Sequence, residues 1–261
     1  MYPLDRYCPY AKIYGERNSG TNFVEALIHA NFLAHCLQSN NKVNDYVKAV
    51  GRELPKKTRG TFRNAIVDID CERILQSEFG WKHGIPPLAE ISAAPHRKHT
   101  LFICIAKHPV AWLQSLFERP YNPIERPPQM FSEFIRYLWP LTKRDNIAAT
   151  ARINVVHLWN RKNLAFQTLP GSTERCIVTA YEHILAQPAD FLHGIARYLH
   201  RRDNALIWSL PSTKGENMTF ESYRRKYDLV RICGSVSTED LEYIRELADP
   251  QVMRAFGYRW P

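Results

Sequence analysis

No stretch of this 261-residue chain comes near the roughly 18 to 20 consecutive apolar residues that cross a bilayer, so no membrane-spanning helix is expected. The opening MYPLDRYCPYAK also lacks the apolar core of a secretion signal, and a soluble, cytoplasmic chain is the expectation. Cysteine pairs of the C-x-x-C kind are missing. The six cysteines are scattered, and Cys104 and Cys176 lie in apolar runs where a free thiol packs like a small hydrophobe, which fits a reducing compartment. Among the histidines only His96 and His99 have ligand-like spacing. No second pair of ligands stands nearby, so no metal is expected and PHRKH reads as a solvated basic loop. Internal repeats, low-complexity tracts and Gly/Ser linkers are absent as well, which leaves a single domain over residues 1–261 as the simplest division.

What the chain does have is positive charge. Lys and Arg number 35 against 26 Asp and Glu, a net charge of +9 that draws polyanions or phosphorylated ligands. Strand and helix patterns alternate. Residues 10–14 read as a short strand, followed by the turn ERNSGTN and by Phe23, Ala26, Leu27, Ala30 and Leu33 at helical spacing. Residues 42–63 read as an exposed basic loop, and a second strand is expected at residues 65–69 or 79–82. TLFICIA, Thr100–Ala106, is the cleanest buried strand and belongs at the centre of a sheet. Pro109 then opens a helix whose apolar stripe is Trp112, Leu113, Leu116 and Phe117. Residues 120–128 form a proline-studded loop, residues 131–138 and 148–169 read as helices, 174–182 as another buried strand and 188–200 as a helix. This order implies an α/β three-layer fold, a central parallel sheet flanked by helices, with ligands at the carboxyl ends of its strands.

Two segments carry anion chemistry. Gly15-Glu16-Arg17-Asn18-Ser19-Gly20-Thr21-Asn22 joins a strand to a helix, where small residues let backbone N–H groups converge on one anion and the helix dipole adds favourable potential. Thr21 follows Gly20 where a nucleoside-triphosphate loop would demand Lys. At the end of the central strand, Lys107-His108-Pro109 is followed by Ser115 on the next helix, so that an ammonium and a hydroxyl flank a second anion position.

In order and spacing these segments resemble the sulfotransferase family that uses 3′-phosphoadenosine 5′-phosphosulfate (PAPS). Its first loop, of the type P-K-S-G-T-T-W, is similar to RNSGTNF, and its R-[ND]-P with a Ser eight residues after the Arg is similar to Lys107-His108-Pro109 with Ser115. Its Y-E-D-[LM] resembles Tyr181-Glu182-His183-Ile184, with Pro188 and Tyr198-Leu199 following, and its K-T-H-L-P resembles Trp81-Lys82-His83-Gly84-Ile85-Pro86. LWNRKN and the tail MRAFGY also look similar, so the likeness touches segments from residue 14 to residue 258. The resemblance implies a P-loop-like sulfotransferase fold, with His83 as the base and Lys82 or Arg17 offsetting charge on the leaving nucleotide. It implies Arg17, Asn18, Ser19, Gly20, Thr21 and Asn22 at the phosphosulfate. Lys107 and Ser115 fall at the 3′ phosphate and Tyr181 near the adenine. Ser212-Thr213-Lys214-Gly215 loosely resembles the family's R-K-G loop, with Arg224, Arg225 and Lys226 as alternatives.

The chain departs from the pattern at three places. Asn18 replaces the loop Lys, Lys107 replaces the Arg, and Lys82 and His83 are adjacent rather than one residue apart, so the two cannot point the same way from a strand. The acceptor is expected to be a hydroxyl of a carbohydrate or small metabolite. A phosphoryl-transfer enzyme, a small-molecule kinase with Asp68 or Asp70 for Mg²⁺, is the runner-up. A nucleic-acid module using residues 48–63 is the third reading, and no nucleic-acid partner is expected from it because the aromatics sit at helical core spacing.

Overall fold

The computed structural model of the chain describes residues 7–37, 49–50, 52–121, 125–147, 151–209 and 219–260. Strand β1, Tyr10–Gly15, leads through the loop at residues 16–20 into helix α1, Thr21–Asn31, and then β2, His35–Leu37. Helices α2 (Lys56–Arg73), α3 (Leu75–Glu78) and α4 (Leu88–Ala93) precede the central strand β3, Thr100–Ala106. Helix α5 (Pro109–Glu118) and helix α6 (Phe131–Arg136) follow, then an antiparallel pair, β4 (Leu138–Pro140) with β5 (Arg152–Asn154). Helix α7 (Val155–Thr168), β6 (Cys176–Ala180), α8 (Tyr181–Ala186) and α9 (Pro188–Ile195) come next. The chain closes with α10 (Phe220–Lys226), α11 (Leu229–Gly234), α12 (Thr238–Leu247) and α13 (Pro250–Ala255).

The result is an α/β fold around a parallel four-stranded sheet of order β2-β1-β3-β6. Alternation along the strands divides the core. Ala11, Ile13, Leu101, Ile103 and Ile105 face one apolar cluster, with α1 and α5, while Tyr14, Phe102 and Cys104 face another that includes Phe79, Ile91 and Phe166. The chain steps from β1 to β2 on one side and returns to β3 on the other, so the strand order reverses between β1 and β3, where open α/β sheets bind ligands. Register lines up that rim. Gly15 pairs with Ile105 and Ala106 with Ala180, so Glu16, Lys107 and Tyr181 are the next residues out at one edge. Among the described residues no helix is long and apolar enough to cross a membrane.

Several elements differ from expectation. Residues 65–69 lie inside α2, and residues 79–82 form a turn, whereas the second strand is the three-residue β2. The buried positions Asn64, Val67, Cys71 and Ile74 recur at helical spacing, but the solvated remainder of α2 conceals that stripe. The expected basic loop at 42–63 is therefore helical at 49–50 and 52–53 and again from Lys56 onward, and residues 42–48 and 51 lie outside the described residues. Leu33, expected on the α1 stripe, falls beyond the helix and is exposed. The helix expected at 131–138 stops at Arg136 because Leu138 enters β4. The one expected at 148–169 begins at Val155, after β5, with the Asn154 side chain accepting from the Val156 amide at 2.8 Å. β6 is an edge strand, half-buried over most of its length, and it ends at Ala180 because Tyr181 opens α8. The helix expected at 188–200 ends at Ile195.

The turn that carries Lys82 and His83 is held to β1 without being a strand of the sheet. Phe79 and Gly80 both take left-handed backbone conformations, at φ 56° and 70°. The Tyr14 hydroxyl donates to the Phe79 carbonyl and the Lys12 ammonium to that of Gly80, while the Gly15 amide donates to the Lys82 carbonyl at 3.0 Å. Lys12 is fully buried, and burial lowers its pKa to about 7. In the unfolded chain the amine keeps its ordinary pKa, so between about 7 and 10.5 the unfolded state binds the extra proton and stability rises with pH. Relative to Lys12→Met, the wild-type protein should gain up to about 1.4 kcal/mol per pH unit above pH 7. Denaturant unfolding of both proteins at pH 7, 8 and 9 checks this, and parallel curves would show that Lys12 does not titrate in that window.

Candidate anion site and base at the sheet rim

The loop after β1 is a tight turn closed by the Ser19 amide donating to the Glu16 carbonyl at 3.0 Å. Asn18 (φ 67°) and Gly20 (φ 96°) are both left-handed, an alternation that turns successive N–H groups toward one side. Helix α1 starts at Thr21 with no side-chain cap, and its first bond to the loop is Val24 N–H to the Gly20 carbonyl at 3.1 Å. The N-terminal amides and the dipole of an 11-residue helix are thus presented at the rim. Ser19 is fully buried, and its Oγ has no hydrogen-bond partner and faces Gly15, an orphan acceptor and donor within the loop. The loop is fixed from outside by Trp112 Nε1 donating to the Arg17 carbonyl at 2.8 Å and Asn18 Nδ2 donating to the Arg119 carbonyl at 3.0 Å. Thr21 is buried and Asn22 exposed at the first helical turn.

Lys107 and Ser115 meet as their spacing implies. Pro109 opens α5 at the first helical position, which brings the Ser115 hydroxyl to 3.1 Å from the Lys107 ammonium. Lys107 is 1% exposed, and its ammonium donates also to the Asn18 carbonyl at 3.1 Å and lies 3.5 Å from the Tyr227 ring centroid and 5.0 Å from that of Tyr181. Tyr181 packs on the loop so closely that a Cβ on Gly20 would stand 2.3 Å from its ring. Beyond Ser115 opens a cleft of about 440 Å³ whose lining includes Gln114, Ser115, Glu118, Lys226, Tyr227 and Arg231, with Lys226 paired to Glu118 at 3.5 Å. The β1 loop, Tyr181, Lys107 and Ser115 therefore form one contiguous patch. Lys214 and Gly215 lie outside the described residues.

His83 is half-buried beside the same loop. Its Nδ1 stands 2.6 Å from the Gly15 carbonyl, and its ring meets Trp81 edge-on at 5.2 Å. Burial, with the Lys82 charge next, holds the imidazole pKa well below its ordinary value, so the ring is neutral at pH 7. A carbonyl partner assigns the proton to Nδ1, which leaves Nε2 as a proton acceptor. Lys82 turns the other way, donating to Asn22 Oδ1 at 3.0 Å and pairing with Glu25 at 3.3 Å. The guanidinium of Arg17 lies over Trp81 at 4.8 Å and donates to the Tyr121 carbonyl at 3.2 Å.

Sequence reasoning missed the groups behind this rim. Tyr223 and Tyr227, on and just after α10, pack edge-on against Tyr181, Tyr227 also meets the Lys107 ammonium, and Lys162 of α7 reaches the His83 carbonyl at 2.7 Å. Asp68 and Asp70 lie on α2 rather than on a strand and pair with Arg144 and Arg73. Comparison of the sequence with protein-family models and with curated proteins finds no match in either.

Gly20→Ala should distort the loop, because the new Cβ meets an aromatic ring in a backbone conformation that disfavours side chains. A loss of about 1 to 3 kcal/mol is expected by urea unfolding. A wild-type unfolding midpoint would remove the Tyr181 contact from this account.

Proposed function

We propose that the protein is a P-loop-like, PAPS-dependent sulfotransferase that moves a sulfuryl group to a hydroxyl of a carbohydrate or small-metabolite acceptor. One observation carries this reading: a single rim joins an uncapped helix N-terminus, with its orphan Ser19 hydroxyl, to a cleft at Ser115 that Lys226 and Arg231 line together with Glu118, and the Lys107 ammonium bridges the two through the Asn18 carbonyl and Ser115. Such a pair of subsites suits a nucleotide charged at both ends. The amides of residues 20–22 and Ser19 would hold the phosphosulfate. Ser115, with Lys107 behind it and Lys226 and Arg231 across the cleft, would hold the 3′ phosphate, and Tyr181 would border the adenine.

When bound, the donor supplies a sulfuryl group on a phosphate leaving group. His83 Nε2 takes the acceptor hydroxyl proton while that oxygen bonds to sulfur and the sulfur–oxygen bond to phosphate breaks. The departing electron pair comes to rest on a phosphate oxygen, where the α1 amides and Arg17 or Lys82 oppose the added charge. Neutrality of the imidazole before each turnover follows from its burial among cations.

Calorimetry should detect binding of adenosine 3′,5′-bisphosphate. Ser115→Ala combined with Lys226→Met should weaken that binding about tenfold or more, with a smaller effect on adenosine 5′-phosphate. His83→Ala should cost transfer from a radiolabelled donor about 10²- to 10⁴-fold while binding stays nearly intact. No uptake of the bisphosphate by the wild-type protein would end the proposal.

A further inference from the structure

Lys162 sits in the middle of α7 and is 1% exposed. Its ammonium donates to Asp145 Oδ1 at 2.7 Å and to the His83 carbonyl at 2.7 Å, and it stands 3.2 Å from Glu16 Oε1. Those three partners come from separate stretches of irregular chain. Glu16 begins the β1 loop and its other oxygen accepts the Arg17 amide at 3.2 Å; Asp145 ends a 3₁₀ turn and its other oxygen accepts the Thr142 amide and hydroxyl. Burial works against both carboxylates. Lys162 and Arg17 nonetheless hold Asp145 at a pKa of about 2, whereas Glu16 is pushed up. A buried cation with two carboxylates costs desolvation that apolar side chains of like volume would avoid, so packing alone does not account for it.

What the cation supplies is a second anchor on His83. The ring is tied to β1 through Gly15, and the main chain of the same residue is tied to α7 through Lys162. The neighbouring peptides are held as well, the Lys82 carbonyl by the Gly15 amide at 3.0 Å and the Ile85 amide by the Asp145 carbonyl at 2.9 Å, so Lys162 supplies the tie at the His83 peptide itself, and without it that peptide could rotate and release Nδ1. We propose that Lys162 is the positioning residue of the base: clamped by Asp145 and Glu16, it fixes the His83 carbonyl so that the imidazole keeps Nδ1–H on Gly15 and turns Nε2 to the acceptor. The kinetic consequence of this inference rests on the sulfotransferase reading, but the geometry does not. The charges around the imidazole act in the same direction. Lys82 of its own turn, Arg17 of the β1 loop and Lys162 of α7 all oppose its protonation; Glu16 and Asp145 lie behind Lys162, and Arg144 faces the other ring of the pair, Trp81, at 4.9 Å. Removing the Lys162 charge both deletes one opposing cation and leaves two carboxylates with Arg17 as the cation still acting on them.

Nitrogen NMR of the labelled histidines tests this directly. In the wild-type protein His83 should show the single Nδ1–H neutral tautomer down through pH 6. In Lys162→Met the same imidazole should titrate at higher pH and populate both tautomers. Because that variant strands two buried carboxylates, Glu16→Gln, Asp145→Asn and Lys162→Met are also combined, which removes all three charges at nearly constant volume. The triple variant should fold and still lose the single tautomer, since the carbonyl anchor is gone. In the transfer assay Lys162→Met should lower kcat about 10²-fold with the donor KM little changed, and move the acid limb of kcat/KM to higher pH. A merely structural loss would lower activity at every pH without moving that limb. An unchanged tautomer and pKa in both variants overturns the proposal and leaves the functional reading standing. The expected NMR changes in a protein that transfers no sulfuryl group would overturn the functional reading alone.

Discussion

Irregular chain has no strand ladder to satisfy its carbonyl groups, and here irregular segments line the candidate site. Three lysines meet that need from inside the protein. Lys12 holds Gly80, Lys107 holds Asn18 and Lys162 holds His83, each through a buried ammonium donating to a main-chain oxygen. An ammonium has three donors on a long stem, so one side chain can join a loop to a helix or to a second turn across a distance no backbone bond spans. The desolvation cost is shared with rings and carboxylates: Tyr227 and Tyr181 around Lys107, Asp145 and Glu16 around Lys162, and Tyr14 beside Lys12. The β1 loop, the His83 turn and the Ser115 helix are thereby set relative to one sheet rim.

Local patterns of high contrast were legible in the sequence. TLFICIA is uniformly apolar and became the central strand at the residues expected; the eight-residue interval from Lys107 to Ser115 passes through a helix-opening proline, and that geometry brings the two side chains into contact. The strand–loop–helix expected around residues 15–22 is present, with β1 ending at Gly15 and α1 opening at Thr21. The divergence of Lys82 and His83 also followed from their adjacency, although they leave a turn and not a strand.

Other features carried little contrast. β2 is three residues long, and α2 buries a thin stripe beneath a solvated, charged surface, so neither stands out against a loop. Buried lysines are the harder case, since the residue type by itself points outward. Lys162 lies in LWNRKN, where helical periodicity marks Leu158 and Trp159 as core and says nothing of a cation on the same face. Its carboxylate partners stand 146 and 17 positions away in the chain, so only tertiary contact reveals the group.

The in-register endings of β1, β3 and β6 separate two kinds of residue along each strand. Interior positions such as Ile13 and Ile103 serve cohesion, while Glu16, Lys107 and Tyr181 follow the last paired residues and face the rim. Cohesive positions tolerate exchange for apolar side chains of like volume, whereas rim positions depend on stem length and donor geometry. The scaffold is therefore modular: its sheet could be repacked for robustness with the geometry of the rim left as a fixed cassette.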